Sequence, residues 1–405
     1  MQKVLDFIAE HWSDFTRFNP ASEGADIGLP HPYTAPCADE SCREFRYWDT
    51  YFICRGLALQ NRFELVRDNC ENLIFEINEK GLIPGVNRLD HLSRSQPPFF
   101  GAMLELTGTV AREDRAWLRR AARTLEIELH HWKYRRRDRC GLTHYGTDAV
   151  GEELEAFYPR CVKELGYPEK PSLAEIREAA REAMAEEESG WDFTPRFGRR
   201  CQDYAAIDLN SMLVQSRTEL GLLYRDLGDI ERSDEWLHSA EIRKELMQCY
   251  CWNDRREVFL DYNFVTKQHS PLFSCASLFP LWCGLATPEQ AESTLRLAEQ
   301  ELECEYGLAA CEKNNSGRTY EWDYPAVLPP LQLIAIEGFD RYGFEPAARR
   351  IAEKYVESIV RNFEISGGLP AKYDAVTGLA SPKEKRLHGW TAGVFVFAVD
   401  YLRNH

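Results

Sequence analysis

This chain of 405 residues has little positive charge. Its 49 lysines and arginines face 65 acids, which gives a formal net charge of −16. Because phosphate binding needs basic surface, this balance argues against nucleic acid as the main partner. One basic run does occur, over residues 133–139, directly after a helical pattern. We interpret this run as a solvated helix end rather than a phosphate or membrane patch.

Long apolar runs, targeting signals and metal motifs are also lacking. No stretch approaches the roughly 20 apolar residues that a membrane span requires. The first segment, MQKVLDFIAEHW, contains acids and lacks a long apolar core, so we expect no secretory signal. The 13 cysteines are scattered and form no CxxC pair, so we expect free thiols in a reducing cytoplasm. The ten histidines show no HExxH spacing, and we predict neither a metal site nor a cofactor.

Helical spacing of apolar residues is common, whereas period-two alternation is rare. In Phe63–Lys80 the apolar residues recur at helical spacing and Gly81 ends the pattern. Similar segments predict helices over residues 116–134, 173–187, 209–226, 233–249, 288–303, 326–338, 346–363 and 391–402. In all we expect about ten to twelve helices. No linker or low-complexity segment divides them, so we predict one all-α domain over residues 1–405, with a candidate lid or insertion at about 152–187.

The segment ESGWDF at residues 188–193 places Asp192 beside Trp191 and shortly after Gly190. An aspartate held against an aromatic wall loses solvation, so its pKa rises and it stays protonated near neutral pH. A general acid that breaks a glycosidic bond needs this property. A capping acid at a helix N-terminus explains the same segment equally well, and both interpretations stay open at this point.

Aromatic and polar residues recur together in the segments that connect the predicted helices. Such clusters suit sugars, because rings stack on Trp and Tyr while carboxylates, guanidinium groups and amides bind hydroxyls. Their gathering on connections suggests a site at one end of a helical barrel. Taken singly, each cluster is more often core packing or capping. The clusters are Tyr47-Trp48-Asp49, Arg94-Ser95-Gln96, Glu321-Trp322-Asp323-Tyr324-Pro325 and His388-Gly389-Trp390.

These segments resemble the trehalase family, in that family's order and at compatible spacing. SRSQPP and the WD-x-P segment are highly specific for the family, and the likeness runs from about residue 37 to the end of the chain. A related group in the same clan, which hydrolyses α-glucosides and the glycerate glycosides of mannose or glucose, shares the acid motif. The matching segments are REFRYWDTYF (43–52), LSRSQPPFF (92–100), ESGWDF (188–193), DLN (208–210), EWDYPAVLPPLQ (321–332) and GWTAGV (389–394).

The resemblance implies an (α/α)6 toroid and hydrolysis of an α-glycosidic bond with inversion. It gives Asp192 the general-acid role and places Trp48 and Asp49 against the glucose that precedes the cleaved bond. The remaining residues that we expect around the substrate are Tyr47, Arg94, Ser95, Gln96, Gly190, Trp191, Trp322, Asp323, Tyr373 and Trp390.

One departure from the family concerns the catalytic base. The family's glutamate directly before Lys-Tyr-Asp is Ala371 here, in GGLPAKYDAVTG. A methyl group cannot polarise the attacking water, so we expect this chain to be inactive or impaired as a hydrolase. Three interpretations stay open: an introduced replacement of a native glutamate, a natural enzyme with another base such as Glu384, and a natural sugar binder that does not catalyse.

Other departures lie on the side of the leaving group. The family's glycine-rich lid is replaced by ASPKEKRLHGW, and Pro159-Arg160 is a weak counterpart of its Arg-Pro-Glu motif. The lid cations suit a charged aglycone such as glycerate, or are simply solvated. We predict a small α-glucoside or α-mannoside as substrate, trehalose first and a glycosylglycerate second, and no nucleic-acid or membrane partner. The lid cations are Lys383, Lys385 and Arg386, while Ser41 and Gly85 stand where the family has an arginine and an asparagine.

Overall fold

The computed structural model describes residues 1–108, 113–314, 320–381 and 387–405, and helices dominate these ranges. None of the described helices is both long and apolar enough to cross a lipid bilayer. The helices are α1 (Gln2–Phe15), α2 (Tyr47–Leu59), α3 (Phe63–Lys80), α4 (Phe100–Glu105), α5 (Arg115–Arg135), α6 (Glu152–Leu165), α7 (Leu173–Ser189), α8 (Ile207–Leu227), α9 (Ile230–Tyr250), α10 (Phe279–Trp282), α11 (Pro288–Glu301), α12 (Pro329–Arg341), α13 (Glu345–Ser366) and α14 (Gly389–Asn404).

Short strands of two residues pair within the connections. All of the pairings are antiparallel: β1 with β2, β3 with β6, β6 with β7, β4 with β5, β8 with β9, and β10 with β11. The strands are β1 (Thr16–Arg17), β2 (Tyr33–Thr34), β3 (Tyr204–Ala205), β4 (Trp252–Asn253), β5 (Val258–Phe259), β6 (Tyr262–Asn263), β7 (Gln268–His269), β8 (Glu303–Cys304), β9 (Gly307–Leu308), β10 (Ala326–Val327) and β11 (Tyr373–Asp374).

Six helices form an inner ring. Each of α2, α4, α8, α10, α12 and α14 contacts the next in this order, and α14 returns to contact α2. Helices α1, α3, α5, α9, α11 and α13 pack outside the ring, as in the hairpins that α8 forms with α9 and α12 with α13. The predicted all-α (α/α)6 toroid is therefore confirmed.

Residue patterns explain which helices lie inside the ring. Helix α2 buries every residue from Tyr47 to Cys54, Asp49 and Thr50 included, because it is mostly apolar and surrounded by other helices. Helix α1 buries one stripe, in which Leu5, Ile8 and Trp12 recur at helical spacing, and it therefore lies outside.

Two glycines close the ring where α2 meets α14. A Cβ atom added to Gly56 would lie 2.6 Å from the Cα of Gly393. A Cβ atom added to Gly393 would lie 2.0 Å from the carbonyl oxygen of Phe52. The two helix backbones therefore touch, and this glycine seam, Gly56 and Gly393, leaves no room for any side chain.

Most of the predicted helices are present within a few residues. Helix α3 covers Phe63–Lys80 as predicted, and Gly81 ends it in the left-handed conformation with φ 77°. Helices α1, α2, α4, α6 and α10 were not predicted. Helix α2 has no amphipathic period because all of its faces are buried, and α6 contains Pro159 in its interior. The placement of Tyr47-Trp48-Asp49 and Gly389-Trp390 on loops was wrong, since they form the first turns of α2 and α14.

The charged segment over residues 152–187 forms a helical hairpin. Helices α6 and α7 pack on each other rather than within the inner ring. They share a small apolar cluster in which Tyr158 and Cys161 of α6 meet Ala183 of α7, and Phe193 packs against the same cluster. The role of this hairpin as a lid or insertion stays a prediction.

The expectation of free thiols was wrong for one pair. Cys37 and Cys42 form a disulfide with Cα atoms 5.8 Å apart. Arg17 donates hydrogen bonds to the carbonyl oxygens of both cysteines and folds the loop between them into a turn. The other eleven cysteines are free. Because this pair is oxidised, the cysteine pattern no longer argues for a reducing compartment.

Candidate active site

The acid segment forms a tight turn at the C-terminal end of α7. Helix α7 ends at Ser189, and Gly190 caps it in the left-handed conformation with φ 74°. Phe193, directly after Asp192, also has a positive φ of 61°. The interpretation of Asp192 as a helix N-cap was therefore wrong. Thr194 has the capping role instead, because its side chain accepts from the backbone N–H of Arg196.

Asp192 lies deep in the protein, yet 29 % of its side chain remains accessible to solvent. Burial raises the pKa of Asp192, while the guanidinium groups of Arg160, Arg46 and Arg94 act in the opposite direction. The contact with Arg160 is the direct one, with Nη2 at 3.5 Å from Oδ2 of the aspartate. A raised pKa is the property that the sequence predicts for a general acid at this position.

Glu187, the third residue from the end of α7, forms ion pairs with two of these arginines. Arg94 donates to Oε2 of Glu187 from Nε at 2.8 Å and approaches the same oxygen with Nη2 at 2.6 Å. Arg160 forms an ion pair with the other carboxylate oxygen of Glu187. Glu187 was not predicted as a site residue, because a glutamate within a charged helix gives no sequence signal. Arg160, which the sequence offered only as a weak counterpart of a family motif, does reach the acid.

Four indoles from four separate segments, one of them in the acid turn itself, form a cluster around Trp322. The ring of Trp322 lies 5.2 Å from Trp191, 5.9 Å from Trp48 and 6.1 Å from Trp390, measured between ring centroids. The indole N–H groups of Trp48 and Trp191 are buried and have no hydrogen-bond partner among the described residues. The structure therefore brings together these four predicted tryptophans at one end of the ring.

Asp49 lies in the first turn of α2, next to the tryptophan cluster, and Gln96 contacts this turn from another segment. Burial raises the pKa of Asp49 to about 6, Arg46 and His388 lower it, and the charge of Asp192 raises it further. The two carboxylates are therefore close enough to affect one another. Oε1 of Gln96 accepts the backbone N–H of Trp48 at 3.0 Å, so this amide orients the first turn of α2.

Three of the predicted contact residues have their polar atoms engaged by the protein. The Tyr47 hydroxyl donates to Glu128 at 2.6 Å and accepts the backbone N–H of Phe100 at 2.6 Å. Oδ1 of Asp323 accepts the Asn314 amide at 2.6 Å, and the Tyr373 hydroxyl donates to a carbonyl at 2.9 Å. These three side chains are buried, and their hydrogen bonds connect parts of the protein around the tryptophan cluster.

The loop that contains Ala371 borders the same tryptophan cluster. Strand β11 follows this loop and pairs with β10, which places Tyr373 opposite Val327. The indole N–H of Trp390 donates to the carbonyl oxygen of Ala371 at 3.0 Å. Because Trp390 also contacts Trp322, and Trp322 contacts Trp191, the Ala371 loop and the acid turn contact the same aromatic cluster.

Arg136 is buried and binds Glu188 at the end of α7, although the sequence suggested a solvated helix end. Only 2 % of its side chain is exposed, and it donates to both oxygens of Glu188 at 2.8 and 2.9 Å. Glu188 also accepts the backbone N–H of Ser95 at 3.0 Å and of Gly146 at 2.7 Å. The interpretation of the basic run was therefore wrong at Arg136, which links the acid segment to the SRSQPP segment.

A second buried arginine lies under Trp191. Arg196 donates to both oxygens of Asp208 and of Asp261, and its guanidinium lies 4.9 Å from the centroid of Trp191. Asp208 belongs to the DLN segment, so this segment contributes an anchor for the acid turn. By contrast, Glu384 and the lid cations Lys383, Lys385 and Arg386 lie outside the described residues.

Comparisons with known proteins agree with these features. The trehalase family model matches residues 2–402. The cytosolic neutral trehalase of Saccharomyces cerevisiae is 28 % identical over 96 % of this chain and 59 % of its own length. The periplasmic trehalase of Shigella flexneri is 28 % identical over 99 % of this chain and 74 % of its own length. This chain thus spans little more than half of the yeast relative.

Solved structures give the same result for the fold. The neutral trehalase from Saccharomyces cerevisiae superposes with a TM-score of 0.80 at 26 % identity, covering 98 % of this chain and 80 % of that one. A mannosylglycerate hydrolase from Thermus thermophilus, in complex with glucose, gives a TM-score of 0.68 at 17 % identity, covering 99 % and 100 %. At that identity the second likeness shows the fold alone. Since the family match extends over nearly the whole chain, this protein is a member of the trehalase family.

Proposed function

We propose that this chain is an inverting glycoside hydrolase that acts on a small α-linked glucoside, with trehalose as the first substrate to test. The observation that supports this most is the position of Asp192. Its side chain is deep but solvent-accessible, lies beside four clustered indoles, and is faced by Arg160, Arg46 and Arg94. The names of the relatives support the same substrate class.

In this proposal Asp192 protonates the departing glycosidic oxygen. Burial raises its pKa, which favours the protonated form that a general acid needs, while the facing arginines limit this rise. Trp390, which is partly exposed whereas Trp48, Trp191 and Trp322 are buried, stacks its ring on the pyranose. Asp49, Arg94 and Gln96 bind the hydroxyls on the side of the acid turn.

The position of the family's catalytic base does not fit a hydrolase, because Ala371 has no group that accepts a proton. This observation favours a second candidate function, a sugar-binding protein that does not catalyse. Both candidates predict binding of a pyranose at the aromatic cluster. They differ in whether the bond to the aglycone is broken.

The experiment compares glucose release by the chain, by Asp192→Asn and by Ala371→Glu. Trehalose, glucosylglycerate and mannosylglycerate are the substrates, and calorimetry measures the binding of each. We expect Ala371→Glu to release sugar, with the β-anomer appearing first in NMR spectra because the reaction inverts. We expect Asp192→Asn to bind without release. If Ala371→Glu is folded, binds sugar and releases nothing from any of the three, position 371 does not hold the base and the sugar-binder function is favoured.

A further inference from the structure

Glu321 lies between the acid turn and the Ala371 loop. Its backbone N–H donates to the carbonyl oxygen of Phe193 at 3.1 Å, and Phe193 is the residue directly after Asp192. Its carboxylate forms an ion pair with Lys372, the residue directly after Ala371. Nζ of Lys372 also approaches the backbone oxygen of Glu321 at 3.4 Å. One glutamate is therefore joined to the neighbours of both positions at which an inverting enzyme needs a carboxyl group.

The surroundings of this carboxylate suit a base. The side chain is 63 % exposed, so water reaches it. The ammonium group of Lys372 bonds to Oε2 and orients the carboxylate, while Oε1 has no hydrogen-bond partner among the described residues. A carboxylate oxygen in contact with water is able to accept a proton from it.

The other carboxylates beside the cluster are less suited. Oδ1 of Asp374 accepts the backbone N–H groups of its own turn at 2.8 and 2.9 Å. Asp323 is 6 % exposed and holds Asn314 with Oδ1. Glu187 is neutralised by Arg94 and Arg160. Asp49 lies in the first turn of α2, where it is 8 % exposed and therefore offers little access to water.

We infer that Glu321 is the general base of this chain, in place of the carboxylate that Ala371 lacks. The inference rests on the proposed hydrolase function. Oε1 of Glu321 takes a proton from water, and the water oxygen forms a bond to the anomeric carbon. The glycosidic C–O bond breaks at the same time, and its oxygen takes the proton of Asp192. Asp192 ends ionised and Glu321 protonated, and exchange of a proton through solvent restores both.

The test uses two substrates that separate an acid from a base. Trehalose needs both groups, whereas α-glucosyl fluoride has a leaving group that needs no protonation. We expect Glu321→Gln to lower kcat on both substrates by about 10²–10⁴-fold. We expect Asp192→Asn to lower kcat on trehalose but to retain most of the activity on the fluoride. Glu364→Gln, which removes an exposed charge on α13, is the matched control and should leave both rates unchanged.

Azide provides an independent measurement, because this anion attacks without a base. Added azide should restore turnover of α-glucosyl fluoride by Glu321→Gln and yield the β-glucosyl azide. Introducing Ala371→Glu into Glu321→Gln should restore hydrolysis. Sugar binding by calorimetry should be retained in every variant.

The outcomes separate the two proposals. If the chain hydrolyses trehalose and Glu321→Gln is equally fast, the base is another residue. If the chain is inert and Ala371→Glu alone is active, Glu321 is not a base although the hydrolase assignment stands. If every variant, including Ala371→Glu, is folded and inert on both substrates, the proposed function itself is overturned.

Discussion

Gly190 lies directly against the Trp48 indole, and a Cβ atom added to this glycine would approach Cε3 of Trp48 at 3.0 Å. The contact joins the acid turn to the first turn of the first inner helix. Gly190 also has a φ of 74°, a conformation that side chains with a Cβ atom rarely adopt. Two separate constraints therefore require glycine two residues before Asp192.

Gly190→Ala should destabilise the protein and displace the acid. We expect a loss of about 2–4 kcal/mol in the free energy of unfolding, since strain at a positive φ and overpacking of Trp48 add. Gly228→Ala is the control, because Gly228 has a φ of 85° but an added Cβ would meet nothing within 4 Å. It should cost about 1 kcal/mol and leave kcat unchanged. If both variants lose the same stability, the Trp48 ring moves aside to accommodate the added methyl group and the contact imposes no constraint.

Arg160 should set the upper limit of the active pH range. Its guanidinium lowers the pKa of Asp192, so Arg160→Gln should raise that pKa. A general acid works in its protonated form, and the basic limb of the kcat profile should therefore move to higher pH. Arg177→Gln removes an ion pair with Glu155 in the same hairpin and is the control. A basic limb that moves to lower pH, or not at all, would contradict the role of Arg160.

Glu219 should make the protein less stable as pH rises. Burial raises its pKa from 4.5 to about 8, assisted by the charge of Glu105. Between these values the unfolded chain has already lost the proton that the folded protein keeps, so stability falls with pH, by at most about 1.4 kcal/mol per pH unit. Glu219→Gln should reduce this slope in urea titrations at pH 5 and pH 8. The exposed Glu64→Gln should leave the slope as it is, and an unchanged slope in Glu219→Gln would refute the prediction.

The Cys37–Cys42 disulfide should stabilise the start of α14. Ala38 donates its backbone N–H to Leu387 at 3.0 Å, and Gly389 donates to Pro36 at 2.8 Å, so the disulfide loop is bonded to the segment before Trp390. Reduction should lower the stability by about 2 kcal/mol, the value expected for a loop of this size.

Thermal unfolding with and without dithiothreitol measures this effect. Cys42→Ser should unfold at the temperature of the reduced wild type and should not respond to the reductant. Cys249→Ser, which removes an exposed free thiol, should behave like the wild type. A wild type that is indifferent to dithiothreitol would show that the disulfide does not support this segment.

The fold was predictable where a helix has one apolar face and one polar face. Helix α3 was predicted to the residue, because its apolar stripe and Gly81 mark both ends. Helix α2 was missed because complete burial removes the polar face that periodicity detects. Family motifs located the tryptophans of the site and contained Glu188 and Asp208, yet they did not indicate which buried arginines pair with these acids. Arg136 and Arg196 are buried charges paired with distant acids, and such pairs leave no trace in local sequence.

Charge pairing across the ring was equally hidden from sequence. Glu321 resembles any acid in a loop until the structure shows that Lys372, fifty-one residues later, pairs with it. The disulfide was missed for the opposite reason. A scattered cysteine pattern suggested free thiols, and only the turn around Arg17 brings Cys37 and Cys42 into bonding distance.

The glycine seam between α2 and α14 has a consequence for the spacing of the tryptophans. The first and last inner helices touch through Gly56 and Gly393, so the circumference of the barrel is as small as two bare backbones allow. An alanine at either position would force the barrel to widen, and the indoles of Trp48 and Trp390, which project from these two helices, would separate. The separation of these two indoles therefore depends on two residues that have no side chain.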